Sequence, residues 1–367
     1  MRTILSFLIS LSLVTTASAQ WPQFRGPTGQ GHAESTGLPV EWSETTNVRW
    51  KTPLPGLGHS SPVIENGKIW LTTAIDRRTS SEDIERRTKD NTASEPLIVS
   101  DHVSLRAVCV DAKTGKLLHN IELLTEDEPQ WIHLYNSYAT PTPVIENGLL
   151  YCHFGTFGTA CLDTESQKIL WTNRDQRVMH ENGPASTPVL WRDLVIFHCD
   201  GSDKQYIAAL NKKDGQLAWK TERSGEMHAD PQTKKSYGTP LIVPLAGQDQ
   251  IISPAANWLY GYDPQTGKEL WKASYQRLGF SIVVRPVVGH GMIYMSTCYP
   301  QSELLAFQYD DADPPEIAWR YAKQVPAKSS PLLVGDELYM VSNNGGIATC
   351  LDAQTGQVNW TSRILGS

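Results

Sequence analysis

The chain has 367 residues, with 32 Lys and Arg against 39 Asp and Glu and a net charge of −7. That acidic balance, without a large basic cluster, excludes the electrostatic footprint of a nucleic-acid-binding protein. Hydrophobic residues make up 40% and charged residues 19%, as in globular proteins, and 12 Trp, 27 Gly and 23 Pro favour many short strands joined by turns.

The chain opens with the pattern of an export signal. Arg2 supplies the positive charge, residues 4–14 the apolar stretch, and Ala17-Ser18-Ala19 a small-residue cleavage site. The apolar run is too short to span a bilayer and none like it follows, so no transmembrane segment is expected. No Cys stands at the cleavage site, which argues against a lipid anchor. The expectation is a chain starting at Gln20, periplasmic or secreted, with residues 20–46 as an N-terminal extension.

Beyond it a Pro-centred tripeptide keeps returning: Ser61-Pro62-Val63, Thr142-Pro143-Val144, Thr187-Pro188-Val189, Thr239-Pro240-Leu241, Arg285-Pro286-Val287 and Ser330-Pro331-Leu332. From Pro143 onward the steps are 45, 52, 46 and 45 residues. A period of this size marks a repeat architecture. After each Pro comes a turn such as Glu65-Asn66-Gly67, then a strand rich in β-branched and aromatic residues, as in Ile69-Trp70-Leu71. A further strand leads to a turn such as Ala112-Lys113-Thr114-Gly115, where Gly supplies the positive φ of a tight hairpin. The last strand carries an aromatic column: Trp171, Trp219, Trp271, Trp319 and Trp360, with His119 in the first unit. Four short strands per period describe a propeller blade, and residues 47–367 predict an all-β propeller of about six such blades.

The repeat phase also reads the cysteines. Cys109, Cys161 and Cys350 share a column that elsewhere holds Ala209, Gly261 or Ala306, so the position asks for a small buried side chain rather than a disulfide. Cys152, Cys199 and Cys298 fall near strand ends, where one bridge among them stays open. The first unit is longer than the others by residues 76–103, read as a loop insertion, either solvated or acting as a lid or docking surface. At the other end, Asn47-Val48-Arg49-Trp50-Lys51 looks like a closing strand without a blade, and no further Pro pair follows Trp360. The expectation is an open arc, cut short at the C-terminus.

The pattern Asp-x-x-Thr-Gly-x-x-x-Trp stands at Asp263–Trp271 and Asp352–Trp360, with His119 replacing Trp after Asp111 and looser copies ending at Trp171 and Trp219. With it, the chain resembles the pyrroloquinoline-quinone (PQQ)-like propeller repeat family, which includes quinoprotein alcohol dehydrogenases and BamB lipoproteins. The opening Trp21-Pro22-Gln23-Phe24-Arg25-Gly26-Pro27, with Gly29 and Gly31, is similar to secreted propellers of planctomycete type. The resemblance implies eight-bladed rings and Trp residues that dock structurally on the next blade.

Three functions follow as expectations. A quinoprotein dehydrogenase, by that resemblance, would bring adjacent cysteines, a Ca²⁺ site and a catalytic Asp. No Cys-Cys pair, Ca²⁺ loop or Cys-x-x-Cys-His haem site is present, so no cofactor is expected, PQQ entering by resemblance only. A binding or scaffold module, probed at the central funnel, is the leading reading, with an envelope protein or small polar ligand as partner and a monomeric state. Residues just before the Pro pairs would then form the rim: His59, Tyr138, Glu181, Asn182, Tyr237, Arg285 and Lys328. A funnel hydrolase or lyase is the third reading. It would draw on His153, His198 and Asp200, or on His180-Glu181-Asn182-Gly183, although no catalytic signature accompanies them.

Overall fold

Each repeat folds into one four-stranded antiparallel sheet whose strands lie in chain order. The structure is a computed structural model and describes residues 20–89, 91, 96–309, 314–343 and 345–364; the expected export signal lies outside them. Blade 1 comprises Val63–Glu65, Lys68–Arg78, Ser100–Asp111 and Leu117–Asp127. Blades 2 to 6 repeat the design, their innermost strands beginning at Val144, Val189, Leu241, Val287 and Leu332, immediately after the prolines. Pro ends the approach to each inner strand and leaves the edge toward the axis without a ladder donor at that point.

Alternation along each strand sends successive side chains to opposite neighbours. Leu150, Cys152 and Ala160 of blade 2 join Trp70, Leu105 and Ala107 of blade 1 in one apolar cluster. Tyr151, Cys161 and Trp171 of the same blade face Val195, Phe197 and Cys199 of blade 3. Three more clusters join blades 3 with 4, 4 with 5, and 5 with 6. The core is therefore a stack of inter-blade layers, and among the described residues none joins blade 6 to blade 1. All six cysteines are buried and free. Five sit inside these layers, so packing accounts for them and the bridge left open at Cys152, Cys199 and Cys298 does not form.

The hairpin motif makes the joints between blades. Asp111 Oδ1 accepts from Thr114 N at 2.7 Å and from its hydroxyl at 2.6 Å, and Asp263 and Asp352 repeat the arrangement. The Gly that follows has φ near +70° at positions 115, 215, 267 and 356. The space its missing Cβ leaves is taken by a Trp from earlier in the chain: Trp50, ahead of blade 1, over Gly115, and from the preceding blade Trp171 over Gly215, Trp219 over Gly267 and Trp319 over Gly356. Each indole also donates to a carbonyl of that turn, of Ala112, Lys212, Pro264 and Ala353 respectively. Trp271 departs from the pattern, donating instead to Gln250 Oε1 of its own blade at 2.7 Å. Trp360 is 42% exposed. Where blade 1 offers His119 instead of Trp, blade 2 has Gln167 rather than Gly at the turn, with φ +61°.

The described residues of 76–103 form regular structure rather than the expected loop insertion. The second and third strands of blade 1 run on as a paired ladder through Arg78 and Ser100, followed by a helix, Ser81–Thr88, capped by Ser80. Leu97–Ile98 then pairs with Ile132–His133. Ile98 is buried in the core and Arg87 donates to Ser100 O at 2.8 Å, which ties the described part of this stretch to the blade.

The N-terminal extension crosses the axis. Trp21 forms a two-way bridge with Ile64 of blade 1, and Pro22 O accepts from Ile145 N of blade 2. On the far side Gln30 Oε1 accepts from Val288 N of blade 5. Arg25 donates to Ser330 O and Pro331 O at the entry to blade 6. One short segment thus ties blades 1 and 2 to blades 5 and 6.

Candidate functional site: the axial mouth

At the end of the axis where the inner strands begin lies a pocket of about 510 Å³. Its geometry follows from the repeat. The residue three before each proline comes from the same position in every blade: His59, Thr140, Ala185, Tyr237, Val283 and Lys328. All six line the pocket. The loops that precede them add His133, Tyr135, Asn136, Asn182, Gln232, Lys235, Phe280 and Ser281, and the connection between the second and third strands of blade 5 adds Cys298 and Tyr299.

The residue immediately before proline plays another part. Ser61 N donates to Thr142 Oγ1 (2.9 Å), Thr142 N to Thr187 Oγ1 (3.1 Å), Thr187 N to Thr239 Oγ1 (3.3 Å) and Arg285 N to Ser330 Oγ (2.9 Å). Hydroxyl side chains here satisfy the backbone N–H of the preceding blade, forming a girdle beneath the mouth. Blade 5 alone has a non-hydroxyl residue, Arg285.

The rim expected from sequence is thus divided. His59, Asn182, Tyr237 and Lys328 line the mouth. Tyr138, Glu181 and Arg285 do not. Tyr138 is buried with its ring edge-on to Phe157, centroids 5.5 Å apart. Glu181 turns under the rim and pairs with Lys235 Nζ at 2.9 Å. Burial alone would raise its pKa, but the bonds from Lys235 and Gln232 hold it below the usual carboxylate value. Arg285, 2% exposed, points down the axis and donates to Phe24 O (2.5 Å) and Gln23 Oε1 (3.1 Å). Burial and the nearby Arg25 push its pKa down to about 9. Tyr138 stands five, Glu181 seven and Arg285 one residue before its proline, so none of them occupies the lining position three before it.

The floor of the mouth is rigid. Tyr237 donates to His180 O at 2.9 Å and accepts from Asn182 Nδ2 at 3.1 Å. Burial pushes the Cys298 thiol up to about 12, so it stays protonated and unreactive at neutral pH. The rim is open by contrast, with Tyr135 75% and Tyr299 52% exposed. Phe280 and Tyr299 stack, centroids 6.0 Å apart.

The histidine cluster does not assemble. His153 bonds Thr159 Oγ1 at 2.8 Å and stacks on Phe197 at 4.1 Å. His198 is held between Gly238 O and Ser253 Oγ, each at 2.8 Å. Asp200 is closed off by Arg223 in a fully buried pair at 2.8 Å. Burial lowers the Arg223 guanidinium pKa, and the Asp200 charge outweighs it, raising the pKa above its usual value. Burial also depresses His153 to about 3 and His180 to about 4, leaving both neutral. Among the described residues no group of three or more His, Cys, Asp or Glu is placed to hold a metal. A Ca²⁺-bound quinone does not fit the mouth either, because its lining offers no carboxylate ligand.

Four-stranded blades joined by an Asp-x-x-Thr-Gly turn beneath the preceding Trp, around an open polar mouth, define a propeller of PQQ-like repeats. The chain belongs to the PQQ-like repeat family described as outer membrane protein assembly factor BamB, whose model matches residues 32–179 and 106–362. It is similar to outer membrane protein assembly factor BamB of Shewanella oneidensis, 22% identical over 248 residues, covering 62% of this chain and 57% of that protein. The chain thus spans little more than half the length of this curated relative. Among solved structures, a quinohemoprotein alcohol dehydrogenase of Pseudomonas putida aligns with TM-score 0.51 and 11% identity, over 87% of this chain and 68% of that one. BamB from Moraxella catarrhalis aligns with TM-score 0.48 and 13% identity, over 75% of each chain. No helix among the described residues is long and apolar enough to cross a membrane.

Proposed function

We propose that this propeller is a non-catalytic binding or scaffold module of the cell envelope, engaging its partner through the axial mouth. The observation that carries the reading is the ring of six residues, one per blade, around an open pocket backed by a hydrogen-bonded floor. Family membership adds a protein-assembly context, and the signal-like residues 2–19 add export to the proposal. The Cys298 thiol in the lining is protonated, and His153 and His198 are sealed within the blades.

A photo-crosslinking residue placed at Tyr299, on the rim, tests this against one at Lys113 on an outer turn. A discrete crosslinked envelope protein from the Tyr299 position but not from Lys113 is expected. Crosslinks from Lys113 alone would move the binding surface elsewhere. Reduction of an artificial electron acceptor by alcohols, dependent on added PQQ and Ca²⁺, would replace the reading with the dehydrogenase.

A further inference from the structure

The charge of the mouth runs against that of the molecule. The chain carries −7, yet the pocket is lined by Lys235, Lys328, His59 and His133 and by no Asp or Glu. Lys235 is neutralised beneath the surface by Glu181. Lys328 is exposed, and no ion pair joins it to a carboxylate among the described residues. It therefore sets the sign of the local potential. A concave wall of one sign focuses that potential and raises the local concentration of opposite charge.

The shape of the mouth adds a second requirement. Tyr135 and Tyr299 stand on the rim, outside the buried floor, and offer aromatic faces to solvent. A compact ligand seated on Tyr237 would leave them unused, whereas an extended chain crossing the rim would cover them while placing an acidic side chain against Lys328. Resting on the reading of the mouth as a binding surface, we propose that it takes an acidic, aromatic-containing peptide segment, anchored by Lys328 and packed on the rim tyrosines.

The probe is a fluorescently labelled peptide alternating Glu with Phe and Tyr, followed by anisotropy, with a Lys-for-Glu analogue as comparison. The acidic peptide is expected to bind and the basic one not, with affinity falling as NaCl rises from about 50 mM to about 500 mM, where screening is strong. Lys328→Glu should weaken binding by about tenfold or more, since attraction becomes repulsion, while Lys328→Arg retains it. Lys268→Glu, on an outer turn, should leave it unchanged. Equal binding of the basic peptide, an unchanged affinity in Lys328→Glu, or tighter binding of benzene tricarboxylate than of the peptide would each overturn the proposal. If mouth crosslinks persist while the acidic peptide fails, the charge assignment falls and the binding surface stands. If both fail, the mouth itself is not the site.

Discussion

Replacing Gly29 with Ala tests the brace across the axis, and its effect can be worked from geometry. Gly29 has φ +70°, a conformation that costs a residue with a Cβ about 1–2 kcal/mol. A Cβ there would also lie 2.5 Å from Arg285 Cζ, 2.6 Å from Nη2 and 2.8 Å from Nη1, closer than real contacts allow. The guanidinium must move and give up its bonds to Phe24 O and Gln23 Oε1, leaving a buried cation with fewer partners. Hydrogen bonds to charged groups contribute roughly 1.5–3 kcal/mol each, so the combined loss is about 2.5–5 kcal/mol if one such bond is lost. Gly67 provides the control: its φ is +73°, but nothing lies within 4 Å of its would-be Cβ. Gly67→Ala should therefore show the backbone share alone, about 1–2 kcal/mol. Urea unfolding followed by Trp fluorescence reads both as midpoint shifts. In an Arg285→Ala background the cost of Gly29→Ala should shrink to that of Gly67→Ala, giving a coupling of about 2 kcal/mol or more. If Gly29→Ala and Gly67→Ala cost the same, or the double mutant shows no coupling, the packing of Arg285 into the glycine's space is not what holds the segment.

Trp171→Ala should cost about 3–5 kcal/mol in the same assay, because it removes an indole 8% exposed along with its bond to Lys212 O. Trp360→Ala should cost far less, and equal losses at the two positions would refute the docking account. Gln167→Gly should stabilise by about 0.5–1 kcal/mol, relieving the left-handed strain at φ +61° net of the entropy glycine loses on folding; a destabilised variant would show that the Gln side chain contributes more than its backbone strain costs. Acid should destabilise the fold well above the carboxylate range. His153 titrates at about 3 in the folded chain against about 6.5 unfolded, so below pH 6.5 the unfolded state takes a proton that the folded state refuses. Stability is then complete above about pH 6.5 and falls as pH drops, by up to about 1.4 kcal/mol per unit from this one group. His153→Gln should flatten the stability slope between pH 7 and 5 by about one proton, and an unchanged slope would show that His153 is not buried neutral.

The architecture was legible because it is periodic. Pro pairs, Asp-x-x-Thr-Gly turns and the Trp column recur at a spacing that only a repeated four-stranded unit explains, and the structure places the turn glycines and Trp residues in one joint. The column that lines the mouth was equally periodic, but its direction was not. Arg285 and Tyr138 stand one and five residues before their prolines, ahead of the inner strands, so their direction follows neither from strand alternation nor from sequence spacing. Counting three residues before each proline would have found Thr140, Ala185 and Val283. It would have missed Lys235, Tyr135 and Tyr299, which arrive from loops of unequal length. The ladder in residues 76–103 was hidden for another reason: its charged residues suggested solvent, while Ile98 packs with residues as far along the chain as Ile132 and Leu150, and Arg87 donates to Pro129 O as well as to Ser100 O.

The two arginines of the brace show how the blades and the mouth depend on each other. The girdle needs a hydroxyl before every proline, and blade 5 supplies Arg285 instead, so Thr239 N has no hydroxyl from that blade to receive it. The same substitution sends a guanidinium down the axis to capture Phe24 O and Gln23 Oε1. Arg25 reaches the other way, to Ser330 O and Pro331 O. Both cations donate through their terminal nitrogens to neutral oxygens, while the Nε of each is buried without a hydrogen-bond partner among the described residues, and Gly29 and Gly31 leave the room they occupy. The mouth lies only about five residues up the same inner strands, roughly 16 Å at strand rise. Its six lining residues belong to blades whose inner ends this segment holds at a fixed separation. With no apolar layer between blades 6 and 1 among the described residues, that spacing rests on the five inter-blade layers and on the brace. Loosening Arg285 should therefore widen the mouth as well as destabilise the fold, and a peptide that bridges Lys328 and the rim tyrosines should bind the Gly29→Ala protein more weakly even under conditions where it remains folded.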